Sequence, residues 1–277
     1  MKTNKFYITL GVIISILLIG YVSVDAKGQN SKNGENISKT QKQSVKNEIK
    51  SSETCNIENI AKSSLTVDEE NALYYQYNEE KVAYDLYTYF SELYGEKTFL
   101  NISTSESKHM EAVKTLLDRY SLEVPTDFGS LSGTYNTLKL EGEKSLQNAL
   151  EVGIKVEILD IEDIVKTIKL TDNDDLKVVF INIGGASYNH LKGFVNGLEI
   201  NSLTTNIDYS NYLTSDEINI KGSLKDKLVE KLENEGVILN EVIKSNIGNG
   251  NHRNSGNNNH NGKGMGKWGS GKLNCLK

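Results

Sequence analysis

The chain contains a single proline, Pro125, among 277 residues. Proline interrupts helices and sheet interiors, so its near absence favours long, unbroken helices over a loop-rich β architecture. On both sides of Pro125, apolar residues recur at the three- and four-residue spacing of helices that bury one face. Four helices are predicted, at about 68–94, 104–120, 145–170 and from a cap at 171 or 172 to 198. The sequence therefore predicts an all-α fold, an antiparallel four-helix bundle over 65–200 with a long connection between its second and third helices.

The amino terminus has the pattern of an export signal. Lys2 and Lys5 precede an apolar run over 8–19, and small residues follow near the end of segment 1–26. The apolar character continues to about residue 24, close to the roughly 17–20 residues that span a bilayer. The segment is therefore predicted to be a cleaved signal peptide or, alternatively, a retained membrane anchor over 8–24. Both alternatives predict an extracytoplasmic protein, secreted or anchored, that associates with the cell envelope.

Polar segments flank the predicted bundle. Residues 27–64 are rich in Asn, Lys, Ser and Glu and are predicted to form a disordered spacer, because they cannot bury enough apolar surface to fold. Residues 248–277 form a Gly/Asn-rich tail that is also predicted to be disordered. Residues 201–247 are predicted to be a C-terminal extension with an amphipathic helix, in which Gly236 weakens the helical pattern.

Cysteine content and charge narrow the class of protein. The only cysteines, Cys55 and Cys275, lie on either side of the bundle; outside the cell they either pair with each other or remain two free thiols. They form no CxxC pair or Cys/His cluster, so a structural zinc site is not indicated. A formal net charge of −6 without a basic stripe argues against nucleic-acid binding. The sequence is also compatible with a homo-oligomer.

Charged residues interrupt the apolar faces of the predicted helices. Glu106 and His109 lie one turn apart on the face of the second helix, Glu157 interrupts the third, and His190 lies on the fourth. Such side chains are costly in a core unless they are paired or bound to metal. The chain has four histidines, and the two inside the predicted bundle both fall on core faces. Together with Glu80 on the first helix, they predict one buried polar cluster.

These residues resemble the ferritin-like di-iron arrangement, in which two helices each give a Glu and two each give a Glu-x-x-His. The run from Glu80 to Phe90 resembles the first helix of rubrerythrins, Ser105–Met110 their second-helix Glu-x-x-His, and Gly153–Glu157 their third-helix ligand region. From Glu79 to Phe194, the chain is also similar to a prokaryotic domain of unknown function in the ferritin-like superfamily. The shared motifs are E-E-K-x-A-x-D, S-E-x-x-H-M, S-L-x-x-A-L-x-V-G and S-x-N-H-L.

The resemblance implies a cofactor of two metal ions, with iron first and manganese or zinc left open by the ligand types. The implied ligands are Glu80, Glu106, His109, Glu157 and His190, with Asp160 as a sixth. Glu79 lies on a rival apolar face and remains an alternative to Glu80. Tyr84, Tyr87 and Ser187 are expected beside the ligands.

One departure from the resemblance concerns Ser187. It stands where a Glu-x-x-His would complete the ligand set, and serine is a poor ligand for iron. The departure predicts that the centre binds two ions asymmetrically, binds one, or has lost metal, unless Asp160 replaces the missing carboxylate.

The resemblance implies an oxidase or peroxidase that oxidises Fe(II) or reduces oxygen or peroxide, with no substrate identified by the sequence. A second interpretation is a non-catalytic cell-surface bundle whose polar core holds no metal and whose arms bind partners or wall polymer. A third treats the tail as a metal-capturing segment through His252, His260 and Met265. Two histidines eight residues apart make that third interpretation the weakest.

Overall fold

The computed structural model describes residues 57–220 and 222–247. Within these residues all regular structure is helical, in agreement with the predicted all-α class. The described part contains eight α-helices, and a short 3₁₀ turn precedes the third. They are α1 (Val67–Tyr94), α2 (Lys97–Tyr120), α3 (Ser132–Gly142), α4 (Leu146–Leu170), α5 (Asp174–Ile200), α6 (Ser215–Asn219), α7 (Lys225–Asn234) and α8 (Glu241–Asn246).

Several sequence predictions concern residues outside this described part. They are the signal peptide or anchor, most of the spacer, Cys55 and Cys275, and the tail with its histidines. Among the residues that the structure does describe, no helix is both long enough and apolar enough to cross a membrane. Ile57 and Ile60, at the end of the segment predicted to be a spacer, are buried in the core.

Side-chain caps set the ends of α1. The hydroxyl of Thr66 accepts from the backbone of Glu69, whose carboxylate accepts from the backbone of Thr66 in return. This reciprocal pair satisfies amide groups that the first helical turn leaves without partners. At the other end Gly95 adopts a left-handed conformation with φ of 68°, which glycine reaches without steric cost. Both ends lie within one residue of the predicted range, 68–94.

The start of α2 differs from the prediction. The helix begins at Lys97, seven residues before the predicted start at Thr104, and Glu96 accepts from the backbone N–H of Thr98 as its cap. The intervening residues include Thr, Ser, Asn and Ile, which are only moderate helix formers. Burial of Phe99 and Ile102 in the core outweighs that weak local preference.

Neighbouring long helices run antiparallel. Short connections join α1 to α2 and α4 to α5, so each pair forms a helical hairpin. At one end of α1, Glu69 accepts a 2.5 Å hydrogen bond from Thr171, which follows α4; at the other end, Tyr94 donates to the carbonyl of Gly142, which precedes α4. The α1 and α4 helices are therefore antiparallel as well.

The same relation holds between α2 and α5. Near the end of α2, Tyr120 donates to Asp175 at the start of α5, and Asn201 after α5 donates to Glu96 before α2. The chain passes from α2 to α4 through residues 121–145, which contain α3. One long connection thus links two helical hairpins, as predicted.

An aromatic cluster fills one part of the interior. The ring of Phe194 lies 4.9 Å from that of Tyr87 and 5.5 Å from that of Phe99, and Phe90 lies 5.5 Å from Phe99. Gly153 lets α4 approach this cluster, because a Cβ atom at that position would lie 2.6 Å from the Phe194 ring. Tyr87 joins the cluster to the polar residues deeper in the bundle.

The C-terminal extension covers the outer face of α5. Leu228 and Leu232 on α7 and Ile243 on α8 are completely buried, and Leu228 packs against Gly184. The single amphipathic helix predicted near 224–244 is two helices, because Gly236, with φ of 83°, lies in the turn between them. The extension is therefore part of the same hydrophobic core as the long helices.

Candidate metal centre

All four long helices contribute to one buried polar cluster. The six predicted ligands are all buried, with exposed fractions between 0% for His109 and 8% for Asp160. They face inward because each lies on the apolar stripe of its helix, where the residues one turn before and after it pack into the core. By helix they are Glu80 on α1, Glu106 and His109 on α2, Glu157 and Asp160 on α4, and His190 on α5.

Glu106 lies between the two histidines. Its Oε2 atom is 2.8 Å from Nδ1 of His109, and its Oε1 atom is 2.9 Å from Nδ1 of His190. The two imidazole rings stack with their centroids 5.2 Å apart. One oxygen or nitrogen from each of the three residues lies within 4.8 Å of the others, an arrangement compact enough for them to hold a metal ion.

The contact between Glu106 and His190 tests whether a metal fits. Oε1 of Glu106 and Nδ1 of His190 are buried and form an ion pair at 2.9 Å, but their relative orientation does not give a regular hydrogen bond. Buried polar atoms normally have a partner, and each one without a partner costs free energy. A carboxylate oxygen and an imidazole nitrogen this close together, without a regular hydrogen bond between them, can both coordinate one cation. The residues therefore fit a metal ion.

Glu80 completes the α1 side of the cluster. Its Oε2 atom lies 3.1 Å from Nδ1 of His109, and its Oε1 atom accepts a hydrogen bond from Gln76. Glu79, the alternative ligand, lies instead beside Asp163, and that carboxyl, together with burial, raises the pKa of Glu79. Of the two neighbouring glutamates, the structure therefore places Glu80 against the histidines.

Glu157 lies at the aromatic side of the cluster. Its Oε2 atom is 3.5 Å from Nδ1 of His190, and its Oε1 atom accepts a 2.6 Å hydrogen bond from the hydroxyl of Tyr87. Tyr87 therefore lies beside Glu157, one of the predicted ligands. Tyr84 is half-buried and, among the described residues, makes no hydrogen bond to the cluster.

Asp160 accepts hydrogen bonds from two neutral side chains. Its Oδ1 atom accepts from Gln76 at 2.6 Å, and its Oδ2 atom accepts from Ser187 at 2.5 Å. Sequence reasoning missed Gln76, although it lies one turn before Glu80 on the same inward face. The spacing of one turn from Glu80 could have identified Gln76 as part of the site. A neutral carboxamide on a core face, however, does not indicate a metal ligand.

Buried charges shift the pKa values of the cluster in opposite directions. Burial alone would raise the pKa of Glu106, but the imidazoles of His190 and His109 outweigh it and lower that pKa. Burial would lower the pKa of His190, but Glu106 and Glu157 raise it to about 10. The pKa of His109 is likewise raised, by Glu106 and Glu80 against burial. In the metal-free protein both histidines therefore hold their protons more tightly than a free imidazole does.

The other carboxyls of the cluster hold protons more tightly. Burial is the main reason that the pKa of Glu80 rises to about 7, with His109 opposing it. Burial and Glu106 raise the pKa of Glu157, and burial with Glu80 and Glu157 raises that of Asp160. Glu106 is the exception among the carboxyl groups of the cluster, because it contacts both imidazoles.

Comparison with known proteins places the cluster inside a recognised but uncharacterised domain. Residues 69–221, which include all six predicted ligands, match the family described as "Uncharacterized protein domain (DUF2202)". The uncharacterized protein MJ0754 of Methanocaldococcus jannaschii is 36% identical over 148 residues, covering 50% of this chain and 80% of that protein. The crystal structure of hypothetical protein MJ0754 has a TM-score of 0.52 and 29% identity, covering 65% of this chain and 99% of that one. The chain belongs to the DUF2202 family.

Proposed function

We propose that this protein is a ferritin-like metalloprotein whose buried centre binds a redox-active divalent metal, with iron as the first candidate. The observation that carries the proposal is the convergence of Glu106, His109 and His190, whose potential ligand atoms all lie within 4.8 Å of one another in the core. A bound cation would also favour the ionised carboxylates and neutral imidazoles that ligation requires.

The path of the chain supports the ferritin-like assignment. Ferritin-like bundles have one long crossover connection and take their metal ligands from side chains on facing helices. Here two antiparallel hairpins, α1–α2 and α4–α5, are joined by residues 121–145, and each of the four helices contributes to the cluster. Glu106 and His109 supply one Glu-x-x-His pair.

The donor atoms narrow the choice of metal. The cluster offers carboxylate oxygens and imidazole nitrogens, and no thiolate lies among the described residues. Such donors suit iron and manganese, and zinc as well. When bound, iron supplies one-electron redox chemistry, which is suited to oxidation of Fe(II) or to reduction of oxygen or peroxide.

Hydrogen bonds from neighbouring side chains orient two of the candidate ligands. Tyr87 holds one oxygen of Glu157, and Gln76 holds one oxygen of Glu80, so both carboxylates are oriented before a metal arrives. Each of the six candidate ligands is no more than 8% exposed, so bulk water has little access to the centre. The export-signal pattern of residues 1–26 supports an extracytoplasmic location for the activity.

A metal-free polar core remains the second candidate, and one observation favours it. His109 contacts both Glu80 and Glu106, so carboxylate–imidazolium pairs neutralise part of the buried charge without any cation. The protein would then be a rigid surface scaffold with no chemistry of its own.

Metal analysis of the full chain, purified without chelator, distinguishes the two candidates. We expect at least about one bound transition-metal ion per chain, held by the buried ligands. Glu106→Gln removes a central charged ligand and should weaken metal binding about 100-fold or more, since even an outer partner of a ligand is worth about 10–100-fold. Glu111→Gln is the matched control, because Glu111 is exposed on the same helix.

Thermal unfolding with and without EDTA completes the test. A metal that binds only the folded protein raises its melting temperature, so EDTA should lower the melting temperature of the wild type and of Glu111→Gln. Glu106→Gln should show little response to EDTA while keeping the helical circular-dichroism spectrum. If the wild type contained no metal and EDTA did not change its melting temperature, the result would support the metal-free scaffold instead.

A further inference from the structure

The carboxamide of Gln76 lies where two carboxylates from different helices meet. Its Nε2 atom is 2.8 Å from Oε1 of Glu80 on α1 and 2.6 Å from Oδ1 of Asp160 on α4. Gln76 is 1% exposed, so water cannot take its place. An amide nitrogen has two hydrogens, and this geometry uses one for each carboxylate. The opposite orientation of the amide would place its oxygen, which only accepts, against both carboxyl groups.

Ser187 holds the other oxygen of Asp160. Its hydroxyl lies 2.5 Å from Oδ2 of Asp160 and 3.0 Å from the carbonyl oxygen of Ile183. Both oxygens of Asp160 therefore accept hydrogen bonds from neutral donors, and Ser187 is 1% exposed. Asp160 is therefore held between α1 and α5 by two neutral donors.

The remaining ligands fit a single ion. Two atoms bound to one ion at about 2.0–2.3 Å lie no more than roughly 4.6 Å apart. The ligand atoms of Glu106, His109 and His190 lie within 4.8 Å of one another, so only a small contraction would bring all three to one ion. In a two-metal site the second ion lies about 3.5–4 Å from the first, so it needs further ligand atoms at that distance.

We propose that Gln76, Asp160 and Ser187 form a neutral hydrogen-bonded plug in the position of a second metal ion, so that the centre binds one ion. The inference rests on the proposed metal-binding function and specifies its stoichiometry. The Nε2 atom of Gln76 bridges Glu80 and Asp160 as a second cation would, but it brings no positive charge. The ion bound by Glu106, His109 and His190 therefore has no partner ion.

The plug explains the effect of serine at position 187. A glutamate there would complete a second Glu-x-x-His with His190 and supply a carboxylate to a second ion. Serine instead donates a hydrogen bond to Asp160. Position 187 therefore supplies no carboxylate, and one oxygen of Asp160 is already engaged. The same neutral donors compensate buried carboxylates that would otherwise repel each other, so the second position needs no cation for stability.

Titration of the metal-depleted full chain with Co(II) under anaerobic conditions tests this inference. Bound metal is counted by elemental analysis and followed by the visible absorption of the ion. We expect about one ion per wild-type chain and about two per chain of Gln76→Glu, which replaces the bridging donor with a charged ligand. Gln147→Glu is the matched control, because Gln147 also pairs with a glutamate four residues on, Glu151, but lies far along α4 from the cluster. The control should bind about one ion, as the wild type does.

Ser187→Glu provides an independent route to the same result, and circular dichroism checks that each variant folds. A folded Ser187→Glu chain should also bind about two ions, even if Gln76→Glu does not fold. Two ions in the wild type would overturn the plug while leaving the proposed function intact. One ion in every folded variant would also overturn it, because the plug would then not limit the stoichiometry. A wild type that binds no ion would overturn the proposed function itself, and the inference with it.

Discussion

The hydroxyl of Tyr87 donates a hydrogen bond of 2.6 Å to Oε1 of Glu157, and both side chains are buried. Burial and the neighbouring Glu157 carboxylate raise the pKa of Tyr87, so the phenol keeps its proton and remains a donor. The Tyr87 ring also packs 4.9 Å from the ring of Phe194. This one residue therefore connects the orientation of a candidate ligand to the packing of the aromatic cluster.

Replacing Tyr87 with phenylalanine should separate these two roles. The ring keeps its packing, but Glu157 loses a buried donor, so we expect the free energy of unfolding to fall by about 1–3 kcal/mol. Metal affinity should fall about 10-fold, since Glu157 is no longer held in place. Chemical denaturation and calorimetric metal titration measure the two effects.

Tyr89→Phe is the matched control for this substitution. Tyr89 also donates to a glutamate, Glu143, at 2.6 Å, but that hydrogen bond is exposed to solvent. Its loss should change stability by less than about 0.5 kcal/mol and leave metal binding unchanged. Equal effects of the two substitutions would show that burial of the Tyr87 hydroxyl has no special role.

Much of the helical architecture could be predicted because its causes are local. Capping residues such as Thr66 and Gly95 act within one turn, and apolar spacing identifies the buried face of each helix. Glu106 and His109 were found because charged residues on such a face require an explanation. His190 was predicted to join them for the same reason, because apolar spacing identifies the buried face of its helix too, although that helix is distant in sequence.

The rest depends on contacts that sequence spacing does not encode. Gln76 bonds to Asp160, 84 residues away, and that contact exists only because α1 and α4 are packed in a particular register. The early start of α2 has a similar cause, since Phe99 is buried by tertiary packing that overrides moderate helix propensity. Tertiary contacts of this kind determine which side chains donate hydrogen bonds to Asp160.

Gly153 should tolerate no side chain. An added Cβ atom would lie 2.6 Å from the Phe194 ring, and both residues are inside the core. Gly153→Ala should therefore lower the free energy of unfolding by about 1–3 kcal/mol, because α4 or the ring must shift. Denaturant unfolding followed by circular dichroism measures the change.

Gly133→Ala is the opposite case. Gly133 is also helical, in α3, but a Cβ atom there would meet nothing within 4 Å. Alanine should stabilise this variant by about 0.5–1 kcal/mol, because glycine loses more conformational freedom on helix formation. If both alanine variants changed stability in the same direction, packing against Phe194 would not be the reason that position 153 is glycine.

Glu69 links the start of α1 to the connection between α4 and α5. Its carboxylate accepts hydrogen bonds from Thr66, from Thr171 at 2.5 Å and from Asn173 at 2.9 Å. Burial alone would raise the pKa of Glu69, but these hydrogen bonds together lower it below its ordinary value of 4.5. The ionised form is therefore the one that the folded protein stabilises.

The pH dependence of stability should report this contact. Because the folded-state pKa is lowered, the contribution of Glu69 is complete above its unfolded value and is lost as the pH falls through the folded value. Glu69→Gln should therefore cost about 1–3 kcal/mol at pH 7, and the difference from the wild type should shrink between about pH 5 and pH 3. Urea unfolding at a series of pH values measures that difference.

Asp68→Asn is the matched control for Glu69→Gln. It removes a charge from the exposed neighbouring position and should give a nearly constant, smaller difference from the wild type. A Glu69→Gln difference that stayed constant down to pH 3 would mean that the ionised carboxylate contributes no more than a neutral amide does.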